Sequence, residues 1–387
     1  MVNLNNSNTK KCGGGYNNAP SKQRESNLEL FRIISMFLIV AHHYVVNSGL
    51  TLPEGPLATD PLSWRSIFLL LFGAWGKTGI NCFMMITGYF MCTSHITAKK
   101  FAKLTFQWLL YRYSIYAIFL VTGYAAFSLS GFAKTALPIN SIAQNFTACF
   151  VIFWLFIPFL NILISHMNER QHIYILLLTG FTYVLLGTFH RVTMNYVSWF
   201  MVLYLISSYI RLYPKAWFSN NKICGALLFL SLAAGIASVV GCAWLGTKIN
   251  RFMPFFFVSD SNTFLAVAIG VSAFLFFKNL RIPYSRFINT VAASTFGVLL
   301  IHASGSTMRQ WLWKDTVDCV GHYGDKFMPL YAFGCVAAIF AVCICIDILR
   351  INFLEKPFFR FWDKHWDAFS EKLREKGDRL LKKLNVG

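Results

Sequence analysis

Apolar residues gather in runs too long and too numerous for a soluble core. They lie at about 28–50, 66–92, 104–128, 146–164, 172–189, 196–213, 223–246, 262–279, 287–304 and 328–349. A helix that crosses the hydrocarbon needs about 20 mostly apolar residues. The pattern therefore predicts an all-α fold: a polytopic integral membrane helical bundle of about ten transmembrane helices. The run at 66–92 is too long for one straight span, and Gly73, Gly76 and Gly79 interrupt it. Its first part is expected to lie at the interface or to re-enter. Three regions follow: a polar leader over 1–27, a ten-span domain over 28–349, and a tail over 350–387. The leader is rich in Asn, Gly and Ser and is expected to be disordered. No cleavable signal peptide is expected, because the first apolar run comes late and is long.

Composition agrees with a bilayer. Of 387 residues, 56% are hydrophobic and 13% charged, against about 25% charged in soluble domains. The net charge of +19 would suggest nucleic acid in a soluble protein. Here the charges sit in short loops and tails, so they read as topology signals, and no nucleic acid is expected. Lys and Arg favour the side of the N-terminus, which places both termini in the cytoplasm by the positive-inside rule. In the tail, Phe353, Leu354, Phe358, Phe359, Phe361, Trp362, Trp366 and Phe369 interleave with charges, the pattern of an interfacial amphipathic helix on anionic lipid. The ten Cys fall mostly inside apolar runs and read as small buried hydrophobes; no metal site is expected.

Ionisable residues inside a span are expensive and mark function by default. The first span holds Glu29, Arg32, His42 and His43. Arg32 and His43 are eleven residues apart, so they share a helix face to within about 20° and stand roughly 16 Å apart along the axis. Ser35 and Asn47 extend that polar stripe, whereas His42 points about 80° away. The second run carries Lys77 and Asn81 at membrane depth among glycines that permit close helix packing. His302 ends the ninth run, and Glu355 follows the last. Helix–helix hydrogen bonding is the bland alternative for each of these taken singly. No P-loop, GxSxG elbow or HExxH pattern is present, so a histidine is the expected base or nucleophile.

Five segments, in order, resemble the acyltransferase family 3 membrane proteins. NLELFRIISMFLIVAHHY (Asn27 to Tyr44) is similar to the family's opening span, an arginine followed eleven positions later by a histidine; Arg32 and His43 fall there. GKTGINCFMMITGYFM (Gly76 to Met91) resembles the glycine-rich second span, with Thr87 where serine is usual. WFMVLYLISSYIRLYP (Trp199 to Pro214), STFGVLLIH (Ser294 to His302) and LRINFLEKPFF (Leu349 to Phe359) resemble the sixth span, the ninth span and the close of the last. Many members carry an R-x-x-R motif after the second span; this chain has AKKFAKLTFQWLLYRYSIY there instead.

The resemblance implies a bacterial plasma-membrane O-acyltransferase like those that acetylate envelope polysaccharides. The donor would be acetyl-CoA, and the acceptor a hydroxyl of a cell-surface or lipid-linked glycan. His43 would act as general base or acyl carrier, with His42 open as an alternative. Arg32, Lys99, Lys100, Lys103 and Arg112 are the candidate donor-binding cations. Glu29, Lys77, Asn81, His302 and Glu355 are further site candidates. A transporter or flippase without catalysis is the competing class. Against it stand the lack of a visible inverted repeat and of paired broken spans.

Overall fold

The structure, a computed structural model, describes residues 25–94, 96–136, 145–190, 192, 195–366 and 379. Most of the expected leader and the end of the tail therefore lie outside the described residues. Among the described residues the fold is helical, without strands. The principal helices are α1 Ser26–Val46, α2 Trp64–Gly73, α3 Gly76–Met91, α4 Ala98–Val121, α5 Phe146–His166 and α6 Glu169–Thr179. They continue with α7 Tyr196–Leu212, α8 Asn221–Lys248, α9 Phe264–Asn279, α10 Arg286–Ala293, α11 Thr295–His302 and α12 Met328–Arg350.

Among the described residues six helical stretches are long and apolar enough to cross a membrane, or up to seven if one sharply bent pair is a single span. That number falls short of the expected ten, and length and charge explain the difference. Helices α7 and α9 have 17 and 16 residues, roughly 25 Å each, against a hydrocarbon core of about 30 Å. Helix α4 is long enough but carries Lys99, Lys100, Lys103 and Arg112. The bent pair, Arg286–His302 and Ser306–Gly324, turns by 93° just after His302.

Helix α1 is the centre of the bundle; α2, α3, α9, α10, α11 and α12 all pack on it. Two glycines of α3 allow the tightest of these approaches. A Cβ at Gly79 would come 2.7 Å from the Ser35 carbonyl oxygen, and one at Gly76 would overlap the His42 ring. The small residues that looked like generic packing in the sequence thus set the α1–α3 spacing. The long run at 66–92 resolves into α2 and α3, broken at Ala74 and Trp75. At the other extreme, α8 is hydrophobic nearly all round and presents Leu227, Phe229, Leu230 and Ile236 on its exposed surface, as suits a helix bordered by lipid.

A buried polar network ties the end of α12 to α4. Asp347, fully buried, accepts hydrogen bonds from Arg350 Nε (2.8 Å), Tyr111 Oη (2.7 Å) and Gln107 Nε2 (3.1 Å). Arg350 Nη1 donates to Glu355 at 2.5 Å, and Lys103 pairs with the same carboxylate at 3.4 Å. Every charge in the cluster faces an opposite one, the condition under which buried charges are tolerated. The last span then runs on as a helical stretch to Trp366. Phe358 stacks on Phe106 of α4 at 4.7 Å, and Asp363 pairs with Lys99 at 2.6 Å. The first part of the tail is thereby held against α4.

Removing one member of this network should expose its function as a clamp. Asp347→Ala leaves buried Arg350 with only one of its two carboxylate partners, a loss of about 3–5 kcal/mol for a buried pair. The expected outcome is a marked fall in the thermal unfolding midpoint of the detergent-solubilised protein. A midpoint equal to that of the parent protein would show that the network carries no stability.

Candidate functional site

The bundle contains a cavity of about 700 Å³ beside the C-terminal half of α1. Its lining includes His42 and His43 of α1, Lys77 of α3, Tyr196 of α7, and Arg309 from the segment beyond the sharp bend. Asn47, Asn145, Thr147 and Ser259 add neutral polar groups, and Phe146 and Phe255 add aromatic faces. Apolar walls with a few convergent polar groups are the usual form of a small-molecule site.

At the cavity His43 Nδ1 lies 2.9 Å from Nε2 of His302, and His302 Nδ1 lies 2.6 Å from the Val298 carbonyl oxygen. These two contacts fix the tautomers of neutral rings. A carbonyl only accepts, so His302 carries its proton on Nδ1. Its Nε2 is then a lone-pair acceptor, and His43 must donate from Nδ1. The remaining nitrogen of His43, Nε2, therefore holds a lone pair. That is the nitrogen a base or nucleophile needs. His302 is almost wholly buried (1% exposed) and ends α11, where the chain turns away. Trp313 packs edge-on against it, with ring centroids 6.3 Å apart.

His42 is held separately. Its Nδ1 lies 2.6 Å from the Gly73 carbonyl at the C-terminus of α2, one of the carbonyls that a helix end leaves without an internal partner. By the same reasoning neutral His42 carries a proton on Nδ1 and a lone pair on Nε2. Sequence geometry separates the two neighbours by direction, and the structure separates them by partner: His42 is tied to backbone, His43 to a second imidazole. Lys77 donates to Tyr196 Oη at 2.8 Å and lies 3.8 Å from Asp260.

The remaining candidates are not brought to this cavity together. Arg32 pairs with Glu29 at 3.3 Å and lies over the Phe83 ring at 5.8 Å, in the N-terminal half of α1. Asn81 is buried; it donates to the Ser261 and Ala266 carbonyls and accepts from Trp199 Nε1. That is the geometry of a clamp joining α3, α7 and α9. Lys99 and Lys103 face the tail through Asp363 and Glu355, and Lys100 lies beside them in the first turn of α4. Arg112 parts company with these lysines. It donates to the Thr135 carbonyl at 2.7 Å and to that of Lys134, and it lines a small crevice that shares Asn145, Thr147 and Ala303 with the main cavity. Glu355 serves the Arg350 network.

Two contributors escaped the sequence reading. Arg309 lies in a segment that looked like a loop, and Tyr196 begins a helix with nothing to mark it. The partnership of His302 with His43 was equally hidden, since 259 positions separate them. The only signal was the presence of two histidines at span ends.

Comparison with known proteins gives one family. Residues 25–348 match acyltransferase family 3, described as an acyltransferase domain. No curated protein and no solved structure matches the chain. The match covers most of the sequence, contains the helices that carry His42, His43, Lys77 and His302, and agrees with a helical membrane bundle. This chain belongs to acyltransferase family 3.

Proposed function

We propose that this membrane acyltransferase moves an acetyl group from acetyl-CoA to a hydroxyl of a cell-surface or lipid-linked glycan, in a bacterial plasma membrane with both termini cytoplasmic. The observation that carries the reading is the His43–His302 hydrogen bond at the wall of the 700 Å³ cavity. It leaves His43 Nε2 with a lone pair beside a space large enough for a substrate.

As a base, His43 Nε2 takes the proton of the sugar hydroxyl while that oxygen attacks the thioester carbonyl carbon. The carbon–sulfur bond breaks as the new ester forms, and His43 returns the proton to the departing thiolate. As an acyl carrier, the same nitrogen attacks the thioester first, breaks its carbon–sulfur bond and expels CoA as the thiolate; the sugar hydroxyl then opens the acyl-imidazole, breaking its carbon–nitrogen bond, and its proton passes to the thiolate. Both routes start from the same lone pair and give the same products, the acetyl ester and free CoA. In either, His302 acts through His43: it holds the ring and accepts from Nδ1–H as positive charge develops. Lys77 and Arg309 supply the cations the step calls for, since negative charge grows on the carbonyl oxygen. Tyr196, Phe146 and Phe255 offer ring faces suited to a sugar. Arg32 and the lysines at the start of α4 lie toward the N-terminal end of α1 and the tail, the side on which a cytoplasmic donor would arrive.

Three outcomes are expected. His43→Ala should lower acetylation of the glycan, read as O-acetyl content of surface polysaccharide and as CoA thiol release by purified protein, by about 10²–10⁴-fold. The protein should still insert and fold. His302→Gln keeps an acceptor oxygen near His43 and should retain more activity than His302→Leu, which offers none; equal loss in the two would remove His302 from its positioning role. Arg32→Ala should weaken acetyl-CoA binding about 10- to 150-fold, the worth of a charge-assisted hydrogen bond. An unchanged dissociation constant would make the Arg32–Glu29 pair structural. If neither His43→Ala nor His42→Ala changes CoA release or acetylation, the acyl-transfer mechanism fails.

A further inference from the structure

A second opening lies apart from the cavity, where the chain enters α1 and leaves α12. It is a cleft of about 380 Å³ between α10 and the residues that follow α12. Its apolar wall is Ala293, Ile348 and Ile351, and its basic groups are Arg286 and Lys356. No carboxylate lines it. Glu355, adjacent in sequence to Lys356, is already engaged by Arg350 and Lys103. Among the described residues Lys356 Nζ has a neutral partner, Asn352 Oδ1 at 2.7 Å, and neither Lys356 nor Arg286 makes an ion pair.

Asn289 makes a second, independent case. It lines the cleft, is more than nine-tenths buried, and donates from Nδ2 to the Ser285 carbonyl (2.8 Å) and to Ser26 Oγ (3.0 Å). The bond to a carbonyl fixes the amide's orientation. Its Oδ1 is then left without a hydrogen-bond partner, which a buried polar atom seldom is. A ligand that fits must bring negative charge for the two cations and a hydrogen-bond donor for an amide oxygen.

The surroundings say what else it must carry. Phe287 on α10, Leu349 at the end of α12 and Phe353 beyond it are 77%, 56% and 71% exposed. They lie on the elements that form the cleft, each next in sequence to a residue that lines it, Arg286, Ile348 and Asn352. A soluble phosphate compound would have no use for that apolar border, whereas acyl chains would. We propose that this cleft is a site for one anionic phospholipid of the phosphatidylglycerol type. Its phosphate lies between Arg286 and Lys356, its headgroup hydroxyls face the polar wall of Thr290 and Asn289, and its chains run along the exposed Phe287, Leu349 and Phe353. The bound lipid would link α10 to the end of α12, beside the Ser26–Asn289 hydrogen bond that joins α10 to the start of α1.

Native mass spectrometry of the full-length protein, delipidated in detergent and offered phosphatidylglycerol or phosphatidylcholine of identical chains, tests this. One phosphatidylglycerol should be retained preferentially, and Arg286→Gln/Lys356→Gln should weaken its retention by about fivefold for each cation removed. Arg170→Gln/Lys222→Gln, exposed cations elsewhere, should leave it unchanged. Should the first double variant fail to fold, Ala293→Phe, which fills the apolar wall and keeps both cations, must also abolish the preference. Equal retention of the two lipids, or a preference that survives these substitutions, would overturn the proposal. Displacement of the lipid by inorganic phosphate or free CoA at low concentration would also overturn it, and would assign the cleft to a soluble phosphate instead.

Discussion

Each imidazole of the site has two ring nitrogens and, when neutral, one proton. A ring nitrogen that faces a main-chain carbonyl must hold the proton there, because a carbonyl only accepts. The choice falls to backbone carbonyls. The Val298 carbonyl, one turn back on α11, accepts the hydrogen bond from His302 Nδ1–H, and that of Gly73, at the end of α2, accepts the one from His42 Nδ1–H. Because Val298 commits His302, His302 in turn commits His43. A main-chain hydrogen bond thus decides, two rings away, which nitrogen faces the cavity. The architecture around it serves that alignment. The break between α2 and α3 makes the Gly73 carbonyl available, the glycines of α3 let it lie against α1, and the bend after His302 ends α11 where the pair must meet.

Much of this was legible in the residues. The helical class, the polar face of the first span with Arg32 and His43, and the close packing of a glycine-rich second run follow from hydropathy, spacing and small-residue patterns. The count of ten read from hydropathy exceeds the six or seven described stretches long and apolar enough to cross, because the runs that became α7, α9 and α10–α11 fold into short or bent helices and α4 carries four cations. Periodicity reports which face of a helix is apolar and nothing about how long a membrane it must cross.

The site was half legible. His43 and Lys77 were singled out as polar residues within apolar runs, and the structure brings both to the cavity. Asn81 fitted the same description, yet its three hydrogen bonds are spent on holding helices together. Burial alone does not distinguish a polar group that is satisfied from one held ready; the partner list does. The lysines of α4 were counted as a cluster because they are close in sequence. Arg112, nine residues beyond Lys103, is turned toward Thr135 and the crevice beside the cavity. A helix that spans a bilayer carries charges to two different worlds, and sequence proximity does not tell them apart.

The unequal lengths of the helices have a consequence for the membrane itself. Helix α8, with 28 residues, is roughly 42 Å long, while α7 and α9 reach little more than half that. Lipid can meet the longer helix by letting it tilt, but around the shorter ones the bilayer must thin or water must enter. The cavity takes Tyr196 from the very start of α7. From the cavity to the far end of α7 the axial path is therefore only about 25 Å.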